Sequence, residues 1–85
     1  MSTKYVMMDQ GNGMPQPFIF TEALIHQHVA DQLYGQVISA GFVSFIAVGA
    51  KVHAKCYGSS ISLNVAADVE GDSKIITQWI CGNQH

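Results

Sequence analysis

The longest stretch without a charge, a proline or an amide side chain runs from Val37 to Ala50. Read with a period of two, it places Ile38, Ala40, Phe42, Ser44, Ile46 and Val48 on one face. Val37, Ser39, Gly41, Val43, Phe45 and Ala47 fall on the other. Both faces are mainly apolar, which predicts an interior strand covered on both sides. Gly41 is placed to admit another backbone or to mark a bulge. A membrane helix requires about 20 apolar residues, and this run is stopped by Gln36 and Lys51. A buried helix would carry Gly41 and Gly49 at a cost of about 1 kcal/mol each.

The flanking patterns predict what covers this strand. Lys4–Met8 is a short strand, Asp9–Gly13 is rich in turn formers, and Phe18–Phe20 is a second strand after Pro15 and Pro17. Together they predict a hairpin whose prolines confine it to an edge or loop. Thr21 is a candidate helix cap with Glu22 in the first turn. Ile25, Val29 and Leu33, with Leu24 and Ala30 alongside, form an amphipathic stripe that ends at Gly35. From Lys51 to Tyr57 the alternation is strict, with Val52, Ala54 and Cys56 inward. Gly58-Ser59 reads as a turn, and Ser60–Val65 as a returning strand with Ile61, Leu63 and Val65 inward. After a loop over 66–71, Asp72 is a candidate N-cap for a helix whose apolar face is Ile75, Ile76, Trp79 and Ile80. That helix is expected to stop at Gly82-Asn83, leaving Gln84-His85 frayed. The expectation is one α+β domain over 1–85, with a mostly antiparallel sheet, element order β-β-α-β-β-β-α, and helices packed on the sheet.

Composition adds a reason to expect association. Apolar residues make up 48% of the chain and charged residues only 12%, about half the usual share. So weakly charged a surface predicts a homodimer or higher oligomer, or a second protein as partner. The net charge is −2, and all four basic residues are lysines. Without arginine or a basic cluster, nucleic-acid binding is not expected, nor is membrane insertion. Cys56 and Cys81 form neither a CxxC motif nor a disulfide framework. Met-Ser-Thr-Lys-Tyr leads into no apolar leader, so a cytoplasmic protein with reduced thiols is expected.

No constellation in the sequence carries a reaction. His26 and His28 would point about 200° apart on a helix and cannot share a metal. Glu22 and His26, four apart, would share a face as an exposed pair, with His28 a half-buried boundary residue. Asp68, Glu70 and Asp72 alternate like calcium ligands, but Ser73 and Trp79 occupy the places that need glycine and glutamate. Gly11-Asn12-Gly13 lacks the spacing and lysine of a phosphate loop, and Gly58-Ser59-Ser60-Ile61 is not a nucleophile elbow. Cys56 and His53 fall on opposite faces of a strand and cannot pair. Cys81 reads as a small core residue. Tyr34 and Trp79 suit contact rather than chemistry, Trp79 chiefly as core. No catalytic residue, cofactor or metal is expected.

Phe20-Thr21-Glu22, His26, Val29-Ala30 and Ser39-Ala40-Gly41-Phe42-Val43, taken with Cys56-Tyr57-Gly58-Ser59-Ser60-Ile61-Ser62-Leu63, resemble small hypothetical proteins of phages and integron gene cassettes. Those carry a similar helix, strand and serine hairpin, often with proline where Thr21 stands here. The resemblance implies a mobile-element origin and brings no activity, cofactor or catalytic residue. It directs attention to Glu22, His26, Ser39, Ser60 and Ser62. The expected function is that of a small non-enzymatic interaction protein, homo-oligomeric. The alternative is a small-molecule binder or minor enzyme with Glu22, His26 and nearby serines converging on a pocket.

Overall fold

The computed structural model describes residues 3–82 of the chain; the expected helix stop at Asn83 and the frayed Gln84-His85 lie outside them. The architecture is α+β. Strands β1 (Thr3–Asp9), β2 (Pro15–Thr21), β3 (Gln36–Val48) and β4 (Lys51–Tyr57) form an antiparallel sheet in the order β2-β1-β3-β4. Helix α1 (His26–Asp31) lies between β2 and β3. Strands β5 (Ser59–Ser60) and β6 (Val65–Ala66) form a separate small hairpin, and α2 (Val69–Gly82) follows it.

The best-sheltered strand is β1, not β3. Tyr5, Val6, Met7 and Met8 are all fully buried, because β1 has a strand on each edge and cover on each face. Tyr5 and Met7 meet Val43, Ala54 and Cys56 together with Ile76 of α2. Val6 and Met8 meet Ala40 and, around them, Phe18, Phe20, Val29, Leu33, Leu63 and Val65 on the other face. β3 is covered only in its first half; every residue from Ser44 to Ala50 is exposed. The expectation that the 37–50 run is sheltered throughout therefore holds for half of it. β1 pairs with β3 from Asp9–Gln36 to Thr3–Val43, and β4 pairs with it from Phe42–Tyr57 to Val48–Lys51. Beyond Val43 the β3–β4 hairpin projects past the rest of the sheet as an arm.

A bulge alters the faces of β3. Met7 opposes Ser39 and Met8 opposes Val37, so Ile38 is the extra residue and is exposed. Strict alternation would put Val37 on the face of Ser39 and Ile38 with Ala40. The bulge instead turns Val37 to the α1 side with Ala40, and leaves Ser39, Gly41 and Val43 toward α2. Gly41 admits a second backbone, as expected: a Cβ there would lie 2.6 Å from the Tyr57 carbonyl oxygen.

Three elements depart from the pattern. The expected helix from Thr21 is reduced to six residues, because Thr21 closes β2 opposite Thr3. A turn follows, with Leu24 N–H donating to the Thr21 carbonyl (3.2 Å), and Ile25 is extended without a side-chain cap. The segment 60–65 does not return along β4; it folds into the turn 61–64 between β5 and β6. Ile61, expected inward, is 95% exposed, whereas Leu63 and Val65 turn inward as expected, against the cluster of Val6, Met8 and Ala40. Finally, α2 starts before Asp72. Asp68 Oδ1 accepts from Gly71 N–H (3.3 Å), while Asp72 reaches back to Asp68 N–H (3.0 Å). This is a capping box stretched by one residue, with Asp68 rather than Asp72 as the cap. Trp79 is 42% exposed and Cys81 is exposed, so neither belongs to the core. Among the described residues no helix is long and apolar enough to cross a membrane.

Candidate functional site

The first candidate is a cavity of about 570 Å³ on the α1 side of the sheet, lined by Lys4, Ile25, His26, Phe42, Gly58, Ser59, Ile61 and Ser62. Its inner wall is His26. The residue is 96% buried, and its ring stands edge-on to Phe20 (centroids 5.4 Å) and Phe42 (5.9 Å). Phe42 in turn stacks on Tyr57, its cross-strand partner (5.6 Å, 21°). His26 Nε2 donates to the Gly41 carbonyl at 2.8 Å. A carbonyl only accepts, so Nε2 carries the proton, and in the neutral ring Nδ1 is left as an acceptor. His26 is thus neither a surface residue nor half of a helical Glu22–His26 pair: Glu22 sits exposed in the turn before α1. His28, expected half-buried, is exposed.

The serines have structural employment. Because α1 lacks its own cap, Ser62 supplies one from the 61–64 turn, its Oγ accepting from Gln27 N–H (3.2 Å). Ser60, buried, accepts from Leu63 N–H (3.2 Å) and bonds Ser62 (3.3 Å). The expected convergence is therefore partial. His26 and Ser62 share the cavity wall, Ser60 braces Ser62 from behind, and Glu22 stays outside. Ser39 is on the opposite face of the sheet.

There Ser39 joins a buried polar cluster that the sequence pattern did not disclose. Asp72 Oδ2 accepts from Tyr5 Oη, from Ser39 Oγ (2.7 Å) and from Asp68 N–H. Burial first, and then the hydrogen bond to Asp72, hold the Tyr5 phenol well above its ordinary value. Cys56 packs against the same cluster, and burial likewise raises its thiol. The Asp68–Asp72 spacing, with glycine before Asp72, was the only hint of this arrangement in the chain. The cluster ties β1, β3 and the first turn of α2 together, and with all three donors satisfied it is a brace rather than a reaction centre.

The second candidate is the arm. A sheet edge is a row of open hydrogen-bonding groups and is normally guarded. On β2 the guards are Pro15 and Pro17. On β4 they are hydroxyls of α2: Ser73 Oγ accepts from Cys56 N–H (2.8 Å) and Thr77 Oγ1 from Ala54 N–H (2.9 Å). The match is metric, since four helical residues rise about 6 Å and two strand residues about 6.6 Å. Because Ala54 and Cys56 turn their backbone groups away from β3, their partners Phe45 and Val43 turn theirs away from β4. Val43 is met by Thr3; among the described residues, Phe45 and Ala47 are met by nothing. Phe45, Ile46 and Val48 expose their side chains along this edge. Tyr34, also exposed, lies elsewhere, its carbonyl held by the Gln10 amide (3.0 Å).

No group of three or more His, Cys, Asp or Glu side chains among the described residues is placed to hold a metal, and none of their hydroxyls hydrogen-bonds His26. Compared with protein-family models, with curated proteins and with solved structures, the chain matches none.

Proposed function

We propose that the chain is a small interaction protein that associates with a second copy of itself through the open edge of the β3 arm. The observation that carries this reading is the pair of backbone groups at Phe45 and Ala47, unmet among the described residues, on a sheet whose β2 edge carries Pro15 and Pro17 and whose β4 edge gives the Ala54 and Cys56 N–H groups to α2. The arm segment Ser44-Phe45-Ile46-Ala47-Val48 is uncharged, so self-pairing opposes no like charges. A two-fold axis at Ile46 sets Phe45 opposite the second copy's Ala47, with both N–H···O bonds exchanged in each such pair. An axis at Phe45 would bring Ala47 against the second copy's Val43, already paired with Thr3. The Ile46 register is therefore preferred. It continues the sheet from one copy into the next and covers Ile46 with its own equivalent. The free thiols Cys56 and Cys81 support a reducing, cytoplasmic setting for this assembly.

Sedimentation velocity on the intact chain and on Ala47→Pro is the test. Proline on an open edge leaves the monomer's own ladder intact but removes the N–H and blocks pairing. The expected result is a dimer for the parent and a folded monomer for the variant. A parent that sediments as a monomer at micromolar concentration, or a variant that dimerises equally well, sinks the reading.

A further inference from the structure

The cavity beside α1 has features that the fold leaves unexplained. His26 is 96% buried, yet of its ring nitrogens only Nε2 has a hydrogen-bond partner among the described residues. No fully buried side-chain nitrogen or oxygen among the described residues lacks a hydrogen bond, so Nδ1 is not sealed off, and His26 lines the cavity. With Nε2–H committed to Gly41, Nδ1 is the ring nitrogen left to accept from a ligand when the ring is neutral. Lys4 lines the same cavity. Among the described residues its Nζ donates once, to the Leu24 carbonyl (2.8 Å), and an ammonium has two further N–H groups. Phe42, Ile25 and Ile61 supply the apolar wall, and Ile61 projects almost wholly into water at the rim. Gly58 keeps that wall clear: at φ 76° a Cβ there would stand 3.0 Å from the Phe42 ring.

We infer that this cavity is a binding site for a small aromatic carboxylate bearing a hydroxyl group. The carboxylate faces the Lys4 ammonium, the hydroxyl donates to His26 Nδ1, and the ring lies against Phe42 and Ile25, with Ile61 folding over it. A cavity of this volume falls within the range of small-molecule sites, mostly apolar with a few placed polar groups. Each polar recognition discriminates strongly, because a ligand lacking the matching group leaves Lys4 or Nδ1 desolvated without a partner. None of the residues lining the site belongs to the Phe45–Ala47 pairing segment, so binding does not require self-association.

The test is a titration of the ¹⁵N-labelled chain with 4-hydroxybenzoate, benzoate and phenol, followed by NMR. 4-Hydroxybenzoate is expected to give saturable shifts at Lys4, Ile25, Phe42, Ser59 and Ser62 and to move the His26 Nδ1 resonance as an acceptor. Benzoate, without the hydroxyl, and phenol, without the carboxylate, are expected to bind at least about tenfold more weakly. His26→Gln places an amide N–H where Nε2 donates to Gly41 and removes the Nδ1 acceptor; Lys4→Met keeps the stem and removes the charge. Both are expected to retain the parent spectrum and to lose at least about tenfold in affinity. No saturable shift up to the solubility limit of 4-hydroxybenzoate overturns the assignment. So do equal affinities for the three probes, or folded His26→Gln and Lys4→Met variants that bind as the parent does.

Discussion

The two halves of β3 are built from similar residues and meet opposite fates. Val37–Val43 has β1 on one edge, α2 on one face and the α1 cluster on the other; among the described residues Ser44–Val48 pairs with β4 alone. Hydrophobicity does not distinguish them, since Val43 is buried and Val48, as apolar, is open to water. What separates them is reach. Among the described residues the β1 ladder ends at Thr3–Val43, and neither α1 nor α2 covers the distal pairs. Apolar content in a strand thus signals that it is to be covered, without saying that its own chain does the covering.

The sharpest way to test this contrast is with one residue type in both regions. Ile76, fully buried on the face of α2 that packs with Val43, and Ile46, 47% exposed on the arm, are each changed to alanine. Ile76→Ala is expected to cost about 2–5 kcal/mol, from lost transfer energy and an unfilled cavity. Ile46→Ala is expected to cost less than about 1 kcal/mol in the monomer and to weaken self-association instead. Urea unfolding at low protein concentration, with sedimentation alongside, separates the two effects; equal losses of stability would show that the arm is packed after all.

Next in size is the brace on the covered side. Asp72→Ala leaves the Tyr5 and Ser39 hydroxyls and Asp68 N–H without their acceptor, and an expected loss of about 3 kcal/mol follows from several orphaned buried donors. Tyr5→Phe removes one donor and leaves the carboxylate its other two partners, with an expected loss of about 1 kcal/mol. A cost for Asp72→Ala no larger than that of Tyr5→Phe in the same urea experiment would contradict the shared-acceptor arrangement.

A smaller effect is expected with pH. Burial holds the protons of Cys56 and Tyr5 more tightly in the folded chain than in the unfolded one. Below the ordinary thiol value of 9.0 both states keep these protons, and the groups give no pH dependence. Above it the unfolded chain releases first its thiol and then, near 10.0, its phenol, so stability falls as pH rises. The urea midpoint is expected to drop through this range, less steeply in Tyr5→Phe; a flat profile would contradict the burial of both groups.

Much of the sheet was legible because period-two alternation reports faces directly. Lys51–Tyr57 shows Ala54 and Cys56 inward and Lys51, His53, Lys55 and Tyr57 exposed, and the prolines place β2 at an edge as expected. The misreadings have common physical causes. Thr21 suits a helix cap and a strand end equally, and pairing with Thr3 decided for the strand. Ser60–Val65 alternates like a strand, but its hydroxyls close a tight turn and cap α1 in place of a local residue. The bulge at Ile38 leaves no mark in a run apolar on both sides. The candidate site was legible only as single residues. His26, Ser60 and Ser62 were marked, yet Lys4 and Phe42 enter the cavity through strand register, and Asp72 joins Ser39 across 33 positions. Long-range polar partnerships of this kind have no local period to betray them.

Amide hydrogen exchange at Phe45 and Ala47 tests most directly whether the distal half of β3 finds its cover in a second copy. Both N–H groups are expected to be protected when the protein is concentrated and to exchange progressively faster on dilution, while Val6 and Met7 in β1 hold constant protection. Fast exchange at Phe45 and Ala47 at every concentration would contradict self-pairing of the arm, and concentration-independent protection would place their partners within the chain itself.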